Sequence, residues 1–244
     1  DGHRFVQDVL AKGGYAMVKP GSTEQPGVIE VIDPLQGLQD LARAYLAEFD
    51  IPVIAVTGSN GKTTTKDMIS RILAERYNVH HSEGNYNNEL GLPLTILGLD
   101  DHHEAMVVEM GMRGLGQIDL LTKICPPDVA VITNIGPVHL EILGSLENIA
   151  RAKSEILAGL KTGGLAVLNG DDPLIRELAE RVDCETVFFG KELSSDLVVS
   201  QLTTDDHGRA AFRVDGLGVS GHVSLSVPGL HNVENAAAAI IVGL

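Results

Sequence analysis

Residues 56–65 read VTGSNGKTTT, and this run holds the residue types that cradle a nucleotide's phosphates. Backbone amides of a glycine turn converge on an anion, and the dipole of the helix that follows adds to them. A lysine in this place reaches the outer phosphates, and the next hydroxyl ligates Mg²⁺. The spacing is shorter than G-x-x-x-x-G-K-[ST], whose first glycine would fall at Val56. The competing explanation is an ordinary strand–helix turn with a solvated lysine. The run Gly-x-x-Gly-Lys-Thr-Thr, set between an apolar strand and a helix, argues against it. Thr57, Gly58, Ser59, Asn60, Gly61, Lys62, Thr63 and Thr64 are therefore the candidate nucleotide contacts.

A triphosphate also needs metal ligands. The stretch VVEMG puts Glu109 at the C-terminal end of a buried strand, the rim where open α/β sheets bind ligands. A carboxylate there can hold Mg²⁺, or it can be an ordinary charged residue ending a strand. His139, in NIGPVHLE, falls on the same rim. A lone histidine is more often structural, and Mg²⁺ prefers oxygen. Lys153, in RAKSEIL, reads on its own as a solvated helix lysine. The Asn-rich stretch GNYNNELGLPLT, residues 84–95, fits a cluster of turns and a polar ligand loop equally well.

The elements that must position these residues follow from periodicity. Residues 1–48 read as helix, strand, strand and helix, too small for a comfortable domain, and are taken as the tail of a preceding one. From residue 49 onward, near-continuous apolar strands (PVIAVT, EAMVVEM, DVAVITNI, GLAVLNG, TVFFG) alternate with amphipathic helices. That is the pattern of a parallel sheet covered on both faces. From Asp196 to Val227 the pattern changes to short alternating strands, which predicts an antiparallel sheet joined to the parallel one. HNVENAAAAIIVGL then starts a helix. The fold class is α/β: a P-loop-type central parallel sheet flanked by helices, an added antiparallel sheet, and the remnant of a small N-terminal α/β domain.

Hydrophobic residues make up 44% of the 244, charged residues 21% and aromatics 4%, so the core must be aliphatic. The net charge of −15 argues against a nucleic-acid or anionic-membrane surface. One loop and one metal can still hold a triphosphate on an acidic protein. Cys125 and Cys184 show no metal-ligand spacing and read as reduced core thiols. With no span of about 20 apolar residues and no visible leader, a cytoplasmic monomer is expected. The chain begins at Asp1 and ends at Leu244 inside a helical pattern, so a piece of a longer protein is expected.

Taken in order, VTGSNGKTTTKDM, GNYNNELGLPLTIL, VVEMGM, VAVITNIGPVHLE, NIARAKSEIL, LNGDDP and GLHNVENAAAA resemble the Mur ligase family of bacterial cell-wall synthesis over nearly the whole chain. The family's ATP loop is the shorter Gly-x-x-Gly-Lys-[Ser/Thr] form. The resemblance implies that residues 1–48 end a UDP-sugar domain, that 49–244 form most of the ATPase domain, and that a third domain is absent. It implies ATP and Mg²⁺, and a ligase that activates a carboxylate as an acyl phosphate for attack by an amine. The Asn-rich and Glu-Met-Gly-Met stretches most resemble the branch that joins D-alanyl-D-alanine to UDP-N-acetylmuramoyl-tripeptide. The resemblance gives Lys62, Glu109, His139 and Lys153 catalytic roles. Thr63, Glu109 and His139 are then Mg²⁺ ligands, with Lys153 joining them if carbamylated. The resemblance places Asn235 at the position that contacts adenine, with Asn232 as a second nucleotide contact, and Asn85, Asn87 and Asn88 on the sugar-peptide side. Other Mur ligases, folylpolyglutamate synthetase, a P-loop NTPase or phosphotransferase, and a non-catalytic nucleotide-binding module are the competing readings. The 244-residue chain alone is expected to bind ATP·Mg²⁺ weakly and not to complete ligation.

Overall fold

A computed structural model describes residues 2–23 and 25–244. Asp1, the first residue of the helix expected at the start, lies outside the described residues. A 3₁₀ turn at Gly2–Phe5 leads into α1 (Val6–Ala11), and β1 (Ala16–Val18) pairs in parallel with β2 (Val28–Glu30). Then comes α2 (Pro34–Leu46), whose start is fixed locally. Asp33 accepts the Leu35 N–H at 2.9 Å, and Pro34 sits at the first helical position, where its missing N–H costs nothing.

The rest runs β3 (Val53–Thr57), α3 (Lys62–Leu73), β4 (Val79–His81), α4 (Gly91–Ile96), β5 (Ala105–Glu109), α5 (Gln117–Ile124), β6 (Val129–Ile132), α6 (Leu140–Leu143), α7 (Leu146–Ala158), β7 (Leu165–Asn169), α8 (Pro173–Ala179), β8 (Glu185–Gly190), β9 (Leu197–Thr204), β10 (Arg209–Gly216), β11 (Val219–Pro228) and α9 (Asn232–Gly243). Nine strands form one sheet in the order β11-β10-β9-β8-β7-β6-β3-β5-β4. Pairing is parallel from β4 across to β9 and antiparallel only at β9-β10-β11. The antiparallel strands thus extend the parallel sheet and share its core.

Alternation along β3 shows why the sheet is covered twice. Val53 and Ala55 point into a core with α2, α4, α5, α7 and α8, while Ile54 and Val56 point into one with α3 and α9. Both cores are mainly aliphatic, with Phe189 and Phe212 the largest side chains fully buried. Although α2 precedes residue 49, its Ala42 and Leu46 pack in the first of these cores. Its Tyr45 hydroxyl donates to Leu99 O at 2.8 Å.

The strand order also locates the site. From β3 the chain crosses to β4 at one edge, and from β5 it passes to β6 on the other side of β3. Connections that leave neighbouring strands in opposite directions open a crevice at their carboxyl ends. Register brings Val56 level with Glu109 on one side and Val131 on the other, so three loops leave the sheet together.

Candidate nucleotide and metal site

The loop after β3 turns on two glycines with little room. Gly61 has φ 80° and begins α3, and a Cβ there would stand 2.3 Å from Asn235 Oδ1. At Gly58 a Cβ would stand 1.9 Å from Thr133 Oγ1. The loop is docked on the segment after β6. Ser59 N–H donates to Asn134 O at 3.0 Å, and Asn60 N–H to Asn134 Oδ1 at 2.9 Å. The Thr133 hydroxyl donates to Asn60 O at 2.6 Å, and Gly136 N–H to Ser59 Oγ at 2.7 Å. Two loop amides are thus consumed by the protein. Those of Gly61, Lys62, Thr63 and Thr64 have no acceptor among the described residues. Four open amides at a helix start are an anion site in waiting. Lys62 Nζ bridges back to Gly58 O at 3.0 Å and Ser59 O at 3.4 Å.

Glu109 is 3% exposed. Its Oε2 accepts the Thr63 hydroxyl at 2.6 Å and its Oε1 accepts Asn87 Nδ2 at 2.7 Å. The acid therefore points at the turn. A hydroxyl and a carboxylate oxygen side by side beside open amides are the hard oxygen donors that suit Mg²⁺.

A cleft of about 430 Å³ opens there, lined by Gly58, Lys62, Asn87, Arg113, His139 and Lys153 among others. On a chain of net charge −15, the lining carries Lys62, Arg113 and Lys153 against one acid, Glu89, which suits an anionic ligand. His139 takes a left-handed φ of 56°, at the start of α6. Such a backbone is sparsely populated for a residue with a side chain, and strain of this kind gathers at functional sites. Lys153 is 3% exposed on α7, with no hydrogen bond or ion pair among the described residues. Burial, with the Lys62 charge second, pulls its ammonium down to about 7. The solvated lysine expected from RAKSEIL alone is thus a buried amine facing the cleft. An amine this close to neutrality can react with CO₂, and a carbamate would replace a cation with oxygen donors.

The remaining expected residues fall into two groups. Thr57 is fully buried and its hydroxyl donates to Met110 O at 2.8 Å, tying β3 to the end of β5. Asn235, 3% exposed, accepts from Thr65 Oγ1 at 3.1 Å and donates to Asn232 Oδ1 at 2.9 Å. Asn232 donates in turn to Pro228 O at 2.7 Å. The pair thus buckles the start of α9 to α3 beneath the loop. Asn87 and Asn88 line the cleft, and Asn88 Oδ1 also accepts the Gly91 N–H at 2.8 Å at the start of α4. Asn85 is exposed and outside that lining.

Sequence reasoning missed Thr133, Asn134 and Gly136, which dock the loop, and Ser82, whose hydroxyl accepts the Glu109 N–H at 3.3 Å. A polar run directly after a buried strand was the available signal for the first three. Of the two cysteines, Cys125 is buried and Cys184 only half-buried, packed at the edge of the core. No helix of the described residues is long and apolar enough to cross a membrane.

The family described as Mur ligase middle domain matches residues 56–243. The UDP-N-acetylmuramoyl-tripeptide–D-alanyl-D-alanine ligase of Bacillus subtilis (strain 168) is 44% identical over 247 residues, covering 100% of this chain and 53% of that relative. The enzyme of the same name from Synechocystis is 41% identical, covering 98% and 52%. The MurF ligase of Thermotoga maritima, solved in complex with ADP, superposes with a TM-score of 0.90 at 36% identity, covering 99% of this chain and 56% of that one. The chain spans about half the length of the curated relatives it matches.

Proposed function

The chain belongs to the Mur ligase family, and on that premise we propose that it carries the ATP-handling half of a ligase. The reaction joins D-alanyl-D-alanine to UDP-N-acetylmuramoyl-tripeptide in the cytoplasm, with release of ADP and phosphate. The observation that carries the reading is the 2.6 Å pairing of Thr63 with Glu109 beside the unengaged amides of the α3 start.

A carboxylate is a poor electrophile. Attack of the substrate carboxylate on the γ-phosphorus of ATP breaks the bond to the bridging oxygen and expels ADP, leaving an acyl phosphate from which the amine of the dipeptide displaces phosphate. The protein's part is position and charge. Amides of residues 61–64 hold the phosphate tail. Lys62 leaves the loop carbonyls for the β and γ phosphates, where its charge offsets the charge moving onto the leaving group. Thr63, Glu109 and His139 would hold Mg²⁺, with Lys153 joining them as a carbamate, and an ion held there would offset phosphate charge. Asn235 and Asn232 set the nucleoside side through the packing of α9 on α3.

Two measurements test this. Calorimetry with ADP and Mg²⁺ should give binding that Lys62→Ala weakens at least about 10-fold. Phosphate release from ATP should require both peptide substrates once the chain is joined to the remaining sequence of the Bacillus subtilis relative. Release indifferent to both substrates would make the protein a simple NTPase. Dipeptide ligation by the 244 residues unaided would refute the view that they supply only the ATP-handling half.

A further inference from the structure

Several interactions around Glu109 remain unexplained by a phosphate loop and its metal ligands. One carboxylate oxygen of Glu109 belongs to Thr63 and the other to Asn87. Asn87 is itself gripped by the residue two places after the acid: Gly111 N–H donates to Asn87 O at 2.8 Å. A Cβ on Gly111 would come within 3.0 to 3.2 Å of Cγ, Oδ1 and Nδ2 of Asn87. The backbone of Gly111 does not need a glycine's freedom, since its φ is not positive. The missing side chain is what lets the Asn87 amide lie against the strand end.

The start of the same segment is pinned too. Ser82 N–H donates to Val107 O at 3.0 Å, and its hydroxyl meets the Glu109 N–H. Ser82 O accepts Lys66 Nζ at 2.6 Å, from a lysine 3% exposed on α3. Residues 82 to 87 therefore frame Glu109 on the backbone side and the carboxylate side together.

We propose that Asn87 is a positioning residue for Glu109, and that Gly111 is the glycine that admits it. The proposal rests on reading Glu109 as a Mg²⁺ ligand. A neutral amide suits this task. It fixes one carboxylate oxygen by a hydrogen bond and leaves the whole negative charge for the cation, which a lysine or arginine in its place would cancel. The partner that orients a ligating carboxylate governs metal affinity without touching the metal. On this account the amide end of Asn87 is spent on the acid, and the loop's Asn-rich character serves the metal site first.

The test is ADP binding to the 244-residue chain, titrated against Mg²⁺ and repeated in EDTA, for the wild type, N87A, G111A and the double variant. N87A should raise the Mg²⁺ concentration for half-maximal binding by about 10- to 100-fold and leave binding in EDTA unchanged. G111A should shift it in the same direction by less. In the double variant the G111A effect should vanish, because the three atoms nearest the added carbon all belong to the Asn87 side chain. A wild-type Mg²⁺ dependence that both variants preserve overturns the proposal and returns Asn87 to substrate contact. Equal weakening with and without Mg²⁺ overturns it in favour of a general folding role. Additive effects of the two substitutions break the link between them. Wild-type ADP binding that ignores Mg²⁺ removes the metal reading of Glu109, and the proposal with it.

Discussion

Replacing Lys153 with methionine should stabilise this protein near neutral pH, and the gain should fade in alkali. The side chain is 3% exposed, has no partner among the described residues, and is pulled from 10.5 to about 7 chiefly by burial. Below about 7 the lysine is charged in both the folded and the unfolded chain, and the folded state bears the desolvation cost of an ammonium with no acidic partner. Between about 7 and 10.5 the unfolded chain keeps a proton that the folded chain has lost, so folding stability rises with pH across that window. Above 10.5 both are neutral and the cost is gone. At about 1.4 kcal/mol per pH unit the ceiling is about 5 kcal/mol. Water entering the cleft lowers the effective penalty, and about 2–3 kcal/mol is expected. Methionine keeps the apolar stem and removes the charge. The assay is urea unfolding of wild type and K153M in bicarbonate-free buffers at about pH 6 and about pH 10, with the difference between the two proteins as the readout. An advantage for K153M at the lower pH that shrinks at the higher one supports the reasoning. A loss of stability of equal size at both would mean that the ammonium has an acceptor, and the argument from burial would fail.

Lys62→Ala should weaken ADP binding at least about 10-fold with little change in unfolding midpoint, since Lys62 touches only its own loop; calorimetry and a urea melt separate the two effects. Gly58→Ala must displace Thr133 Oγ1, 1.9 Å from the added carbon, and should cost about 2–4 kcal/mol in urea unfolding. Asn235→Ala leaves Thr65 and Asn232 without their buried partner and should cost about 1–3 kcal/mol by the same measurement, with a matching loss of ADP affinity because the loop rests on it. Bicarbonate should tighten Mg²⁺-dependent ADP binding in the wild type and leave K153M unmoved; an equal response in both proteins would speak against a carbamate on Lys153.

The sequence by itself determined the periodic and the local. Five apolar strands alternating with helices announced a parallel sheet, since burial on both faces leaves no polar positions along a strand. Asp33-Pro34 and Asp172-Pro173 began helices where capping chemistry requires. The glycine loop pointed to a phosphate ligand through its residue types and its place between strand and helix, although its spacing is short. Short elements with no periodicity of their own were not legible. β4 (Val79–His81) is three residues on an edge, α4 (Gly91–Ile96) is six with Pro93 inside it, and α6 (Leu140–Leu143) is four, so tertiary packing holds them where no pattern could show. The same limit held at the site. Lys153 and Glu155 lie on one helix and read alike as charged surface residues. Only the packing of α7 buries the first beside Lys62, while the second reaches across to cap α5 at the Gly116 N–H, 2.7 Å away. Asn85, Asn87 and Asn88 were one polar run in the chain. Tertiary structure gave them three fates, because the side chain that meets Glu109 is decided by the register of β4 against β5 and by the absence of a single carbon at Gly111. A charge becomes unusual only when distant segments exclude water from it, and that exclusion is written in the packing of residues far apart in sequence.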